Sequence, residues 1–204
     1  MDKEDIRRKT KEELKAFFLA KGKKEFRAKQ VYEWLWQKGV GSFDAMTNLS
    51  KADREILKSN FQLQPLVLKA EQRSSDGTVK CAFELHDGHL VESVLIPAAK
   101  RVTACISMQV GCQLACSFCA TGKIPFKRNL EVGEIFDQVV YLNQLAEKYY
   151  GLHLSNIVYM GMGEPLHNYE NLIGSANIIS AEDGLNFSPR RITVSTVGIP
   201  DKIK

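Results

Sequence analysis

The sequence predicts an α/β chain in three parts: a small helical domain over residues 1–60, a β-meander over 61–100, and the amino-terminal half of a TIM-like barrel of βα units over 101–204. Three observations predict this. Apolar residues recur at helical spacing through the first part, they switch to a period of two from Leu66, and beyond the meander strand-like runs alternate with helix-like segments.

Each element follows from local chemistry. Thr10-Lys11-Glu12-Glu13 has the form of a capping box, Leu14, Phe17 and Phe18 give an apolar stripe, and Gly22 is a stop. A second helix runs over 27–38, with Val31, Trp34 and Leu35 inward and Gly39 ending it. Trp34 is read as a core anchor in preference to a base-stacking surface. A third helix follows Ser50, with Ile56 and Leu57 inward. Strands are expected over 66–72, 78–85 and 89–96, joined at Asp76-Gly77 and Asp87-Gly88, pairs that favour hairpin turns. A fourth strand spans 102–110. Helices over 131–149 and 169–183 then alternate with strands at 156–160 and 191–195. Three such parallel strands cannot close a barrel, and the last would keep an open edge. The chain is therefore expected to be the amino-terminal part of a longer protein.

Charge is uneven along the chain. Residues 1–60 hold 15 Lys and Arg against 10 Asp and Glu, for +5, whereas residues 61–204 hold 13 against 14, for −1. A basic first domain points to a polyanion such as RNA. A second basic island, Lys100, Arg101, Lys123, Lys127 and Arg128, stands between Glu92 and Glu131 with no acid among them. No apolar run reaches the roughly 20 residues of a membrane span. Five cysteines, clustered and odd in number, suit metal ligation in a reducing cytoplasm better than a disulfide framework.

The chemistry concentrates in Gly111-Cys112-Gln113-Leu114-Ala115-Cys116-Ser117-Phe118-Cys119. Three thiolates spaced C-x-x-x-C-x-x-C can each take one iron of a [4Fe-4S] cluster and leave the fourth iron open to a substrate. Structural zinc is the alternative, but it wants four closed ligands, and no His or Cys follows Cys119 within fifteen residues. A second motif, Gly161-Met162-Gly163-Glu164-Pro165, ends the apolar run 156–160 and puts a carboxylate at the carboxyl end of a parallel strand, where βα folds carry function.

These two motifs together resemble the radical S-adenosylmethionine (SAM) enzymes. Val91-Glu92-Ser93-Val94-Leu95-Ile96-Pro97, Cys105-Ile106-Ser107-Met108-Gln109-Val110-Gly111-Cys112 and Cys119-Ala120-Thr121-Gly122 narrow the resemblance, as do Arg190, Arg191, Ser195 and the segment 26–31. They are similar to the dual-specificity methyltransferases that modify carbon 2 of adenine in 23S rRNA and tRNA. A sister family acting on carbon 8 shares the core motifs. The resemblance implies that Cys112, Cys116 and Cys119 hold the cluster and that Gly163, Glu164 and Ser195 hold SAM. It further implies that Glu92 removes the carbon 2 proton and that Cys105 forms a disulfide with a methyl-carrying cysteine. By the same resemblance the protein is a cytoplasmic monomer served by an electron donor such as flavodoxin or ferredoxin. An apolar strand setting is expected to raise the Glu92 pKa towards that of a useful base. The methyl-carrying cysteine is expected outside these residues, because Cys81, the only cysteine left over, lies in the meander. The chain alone is therefore expected not to methylate RNA. Two rival readings are a non-catalytic RNA-binding or cluster module and a radical SAM enzyme acting on protein, such as a glycyl-radical activase.

Overall fold

A computed structural model describes residues 3–203, which form two compact units. The first ends at Pro65 and also takes in Ile178–Asn186; the second holds Leu66–Asn177 and the residues from Phe187 onward.

In the first unit, α1 (Lys11–Ala20), α2 (Phe26–Trp36) and α3 (Lys51–Asn60) surround a core of Ile6, Leu14, Phe18, Val31, Leu35, Trp36, Met46 and Leu57. Thr10 and Glu13 do close the capping box of α1. Two short parallel strands, β1 (Glu4–Asp5) and β2 (Phe61–Gln62), tie the start of the unit to its end. The anchor of α2 is Trp36, which is 1% exposed, and not Trp34, which is half-buried beneath the Lys38 ammonium 3.5 Å from its ring centroid. Helical periodicity explains the correction. Ala28, Val31, Leu35 and Trp36 stand at i, i+3, i+7 and i+8 and share the buried face, which Trp34 does not.

The second unit is built on β3 (Val67–Arg73), β4 (Val79–Glu84), β5 (Leu90–Ala98), β6 (Arg101–Cys105), β7 (Gln109–Val110), β8 (Arg128–Asn129), α4 (Val132–Tyr150), β9 (Asn156–Tyr159), α5 (Tyr169–Ser180) and β10 (Ile192–Val194). The meander and the parallel strands share one six-stranded mixed sheet in the order β10-β9-β6-β5-β4-β3. Strands β6, β9 and β10 run parallel, and β3 to β6 pair antiparallel. The sheet is open: no closed barrel exists among the described residues, and β10 is an edge with Thr193 and Val194 exposed.

The single strand expected over 102–110 is two. Strand β6 stops at Cys105, the chain leaves the sheet, and β7 pairs instead with β8. A buried amide holds it there, since Gln138 on α4 accepts from Ser107 N (2.7 Å) and donates to Ser107 O (3.1 Å). Side chains alternate across the sheet. Val79, Cys81, Phe83, Val91, Leu95, Val102, Ala104, Ile157 and Tyr159 are buried, and α4 packs on β5 and β6. The opposite face carries Lys80, Glu92, Val94, Ile96, Cys105 and Val158 and is far more exposed. Among the described residues no helix is long and apolar enough to cross a membrane.

Candidate active site at the carboxyl ends of the parallel strands

Residues 106–109, leaving β6, run against residues 158–162, leaving β9. Ile106 N donates to Val158 O (3.0 Å), Gly161 N to Ile106 O (3.0 Å), and Met108 N and Gln109 N both donate to Met162 O (2.8 and 3.1 Å). Ser107 Oγ donates to Glu92 O (2.5 Å) and accepts from Met162 N (2.8 Å). The entry to the cysteine loop, the Gly161–Pro165 motif and the backbone of Glu92 are thus brought together.

Gly163 fits only as glycine. Its φ is +94°, and an added Cβ would lie 2.5 Å from the Gln109 side chain. That close approach lets Gln109 Oε1 accept from Glu164 N (2.9 Å). The Glu164 side chain is buried and already in use: Oε1 accepts from Thr196 Oγ1 (2.6 Å) and Leu166 N (3.0 Å), and Oε2 from Val197 N (3.0 Å). A carboxylate offers about four acceptor positions. One therefore remains for a ligand. Ser195 is exposed at the end of β10, with its amide 3.4 Å from Tyr159 O.

Cys105 and Glu92 occupy neighbouring positions on the open face. Cys105 pairs with Val94, so Glu92 is its diagonal neighbour, at a Cα separation of about 7–8 Å. Burial pushes the Cys105 thiol up, and an N–H from Met160 partly offsets this. Glu92 does not have the expected apolar setting. Its side chain is half exposed and pairs with Lys80 Nζ at 3.0 Å, because the strands that present it leave this face open to water.

Cys112, Cys116 and Cys119 are half-buried free thiols on one loop. Gly111 starts this loop at φ +74°, where a Cβ would fall 2.2 Å from Pro125 O, and Ala115 between the first two cysteines takes φ 47°, a left-handed turn uncommon outside glycine. Among the described residues no three His, Cys, Asp or Glu side chains converge as a ready metal site. The donor set nevertheless fits an iron–sulfur cluster: three thiols at short spacing, none of them in a disulfide. Cys81 is different. It is fully buried on β4, with its thiol pushed up to about 12 by desolvation.

The basic island divides. Lys123 and Lys127 are exposed on the cysteine loop, whereas Lys100 and Arg101 lie at the far end of β6, about 13 Å of strand from Cys105. Arg128 is held by carboxylates. Sequence reasoning counted Arg128 only as one charge of the basic island and quoted Ser107 and Gln109 only within the resemblance; it assigned no role to them and did not single out Thr196.

Comparison with known proteins gives concordant results. Residues 5–63 match the family model "Ribosomal RNA large subunit methyltransferase N-terminal domain". The chain is 54% identical to "Probable dual-specificity RNA methyltransferase RlmN" of Cytophaga hutchinsonii, over 98% of this chain and 55% of that protein. It is 48% identical to "Dual-specificity RNA methyltransferase RlmN" of Oleidesulfovibrio alaskensis, over 96% and 55%. The crystal structure of a radical SAM methyltransferase from Sphaerobacter thermophilus superposes with a TM-score of 0.86 at 42% identity, covering 96% of this chain and 57% of that one. The chain thus spans little more than half the length of the relatives it matches.

Proposed function

Because this chain is homologous along its whole length to the RlmN family of RNA methyltransferases, we propose that it carries the cluster-binding and SAM-binding half of a radical SAM enzyme that methylates carbon 2 of adenine in 23S rRNA and tRNA. One observation carries the reading: the cysteine loop, Gly163-Glu164 and Cys105 meet at the carboxyl ends of the parallel strands β6 and β9, where a βα fold places its chemistry, and Glu92 joins them from the amino end of the antiparallel β5. In this reading the β units belong to the wall of a TIM-like barrel.

Cys112, Cys116 and Cys119 would hold the cluster, which when bound supplies the electron that cleaves SAM to an adenosyl radical. Glu164 would offer its remaining acceptor position to the SAM amino group, with Gly163 and Ser195 lining the same strand ends. The exposed Glu92 carboxylate faces the side from which a base can approach and would take the carbon 2 proton there. Once deprotonated, which its raised pKa requires, Cys105 would attack the methyl-carrying sulfur, so that the S–S bond forms as the S–C bond to the RNA breaks and its electron pair leaves with the product. Cys81 cannot supply the methyl-carrying thiol, since it is buried and protonated. These residues by themselves are therefore not expected to complete methylation. The exposed lysines of the cysteine loop and of the basic helical unit suit an RNA backbone.

The test is anaerobic reconstitution with iron and sulfide, which should give about four irons per chain and a visible thiolate-to-iron absorption that replacement of all three loop cysteines by Ala abolishes. A single tetrahedral zinc with no cluster would end the enzyme reading. Binding to an RNA that ignores salt would favour a protein substrate.

A further inference from the structure

We propose that Arg128 is a positioning residue that latches the cysteine loop shut at its base, so that Cys112, Cys116 and Cys119 are presented together; this rests on the reading of those thiols as cluster ligands.

The loop has backbone bonds of its own, among them Cys112 N to Ile124 O (3.3 Å), Cys119 N to Cys116 O (3.1 Å) and Gly122 N to Cys119 O (3.0 Å), but no buried side chain anchors it. No residue from 112 to 127 is buried, and Phe118 is 92% exposed. A segment that buries so little apolar surface cannot offset the entropy of its own ordering, so its geometry must be imposed from its ends. Those ends are β7 and β8, a ribbon of two residues per strand, which is marginal alone.

Arg128 supplies what the ribbon lacks. Its guanidinium makes two parallel bonds to Glu134 (Nη1 to Oε2 and Nη2 to Oε1, both 2.8 Å), and Nε donates to Asp87 Oδ2 (2.5 Å). Bidentate arginine–carboxylate pairs are the geometrically specific ones. Each partner is itself fixed. Glu134 is 4% exposed, caps α4 by accepting from Glu131 N (2.9 Å), and stands 3.3 Å from His86 Nδ1. Asp87 accepts from His89 N (3.2 Å) in the β4–β5 turn. One side chain therefore ties the exit of the cysteine loop to the meander and to the start of α4. The consequence reaches further, because the neighbouring Asn129 accepts from Gln109 Nε2 (2.8 Å), and the other end of that amide receives Glu164 N (2.9 Å). Register at β8 thus sets the orientation of Gln109 and of the Glu164 segment.

Two measurements on the present chain separate the latch from the cluster reading. With iron absent, the rates at which Cys112, Cys116 and Cys119 are alkylated should differ from the parent several-fold in Arg128→Met and Arg128→Lys, while Cys105 reacts as before. With iron and sulfide supplied, the parent should load about four irons and these variants several-fold less, with far-ultraviolet ellipticity retained. Parent-like alkylation and loading in folded variants would overturn the latch and leave the cluster reading standing. A parent that takes no iron would overturn the cluster reading, and the alkylation ratios would still decide the latch. Should Arg128→Met unfold, Arg128→Lys, which keeps the charge but loses the fork to Glu134, decides alone; parent-like alkylation and loading in that variant would equally overturn the proposal.

Discussion

At the scale of single residues, the five cysteines are chemically distinct although they read alike in the chain. The thiolate is the reactive form. With its thiol pushed up to about 12, Cys81 carries about one thiolate in 10⁴ at pH 8 and is sealed from reagent. Alkylation of the folded, metal-free chain followed by mass mapping should therefore modify Cys112, Cys116 and Cys119 first, Cys105 slowly and Cys81 only after unfolding. Early labelling of Cys81 would refute the buried placement. Glu164 invites a second experiment. Glu164→Ala leaves Thr196 Oγ1 and the amides of Leu166 and Val197 without their acceptor, at a cost of about 2–3 kcal/mol for hydrogen bonds to a buried charge. Denaturant unfolding should show that loss, and hydrogen exchange should quicken at residues 196–198. Residue identity made the cysteines legible, because three thiols at that spacing have few other uses. It did not reveal the setting of Glu92, since solvent exposure depends on which sheet face is covered.

At the scale of elements, the capping box of α1 and the three meander strands stood plainly in the sequence, because short-range backbone bonding and side-chain alternation are local properties. The break between β6 and β7 did not. An apolar run such as 102–110 continues a strand unless a distant side chain competes for its backbone, and Gln138, more than two dozen residues later, is that competitor. Trp36 displaced Trp34 for a related reason, because the buried face of α2 is chosen by what it packs on. The hinge of the cysteine loop yields a prediction at this scale. Gly111→Ala must accept a left-handed backbone and a clash with the Pro125 carbonyl, which costs roughly 1–3 kcal/mol in strain. A lowered melting temperature, with faster alkylation of Cys112, is the expected result. In α1, Thr10→Ala should cost about 1 kcal/mol and leave cysteine reactivity alone.

At the scale of the whole molecule, acid should act through the Arg128 fork. Desolvation, the largest single influence, would raise the Asp87 pKa, but the hydrogen bond and charge of Arg128 and the His89 amide together outweigh it and hold the carboxyl at about 2, against an ordinary 3.8. A depressed carboxylate adds stability that is complete above the ordinary value and lost as pH falls through the depressed one. Asp87→Asn should thus lower stability at neutral pH, by about 1 kcal/mol once solvent screening is allowed for, and the gap should close between pH 4 and 2. A constant gap across that window would mean that Asp87 acts through something other than its charge. By itself the sequence determined the order of the helices and of the three meander strands, the switch from helical to alternating periodicity, the cysteine spacing and the Gly-Glu-Pro strand end, all of which are set by neighbours within a few residues. Only the tertiary structure decided that meander and parallel strands share one open sheet, which face of it meets water, and that Gln109, Ser107 and Arg128 join the motifs. Those outcomes depend on contacts between residues far apart in the chain, where burial and competition for backbone hydrogen bonds, and not local propensity, select the partner.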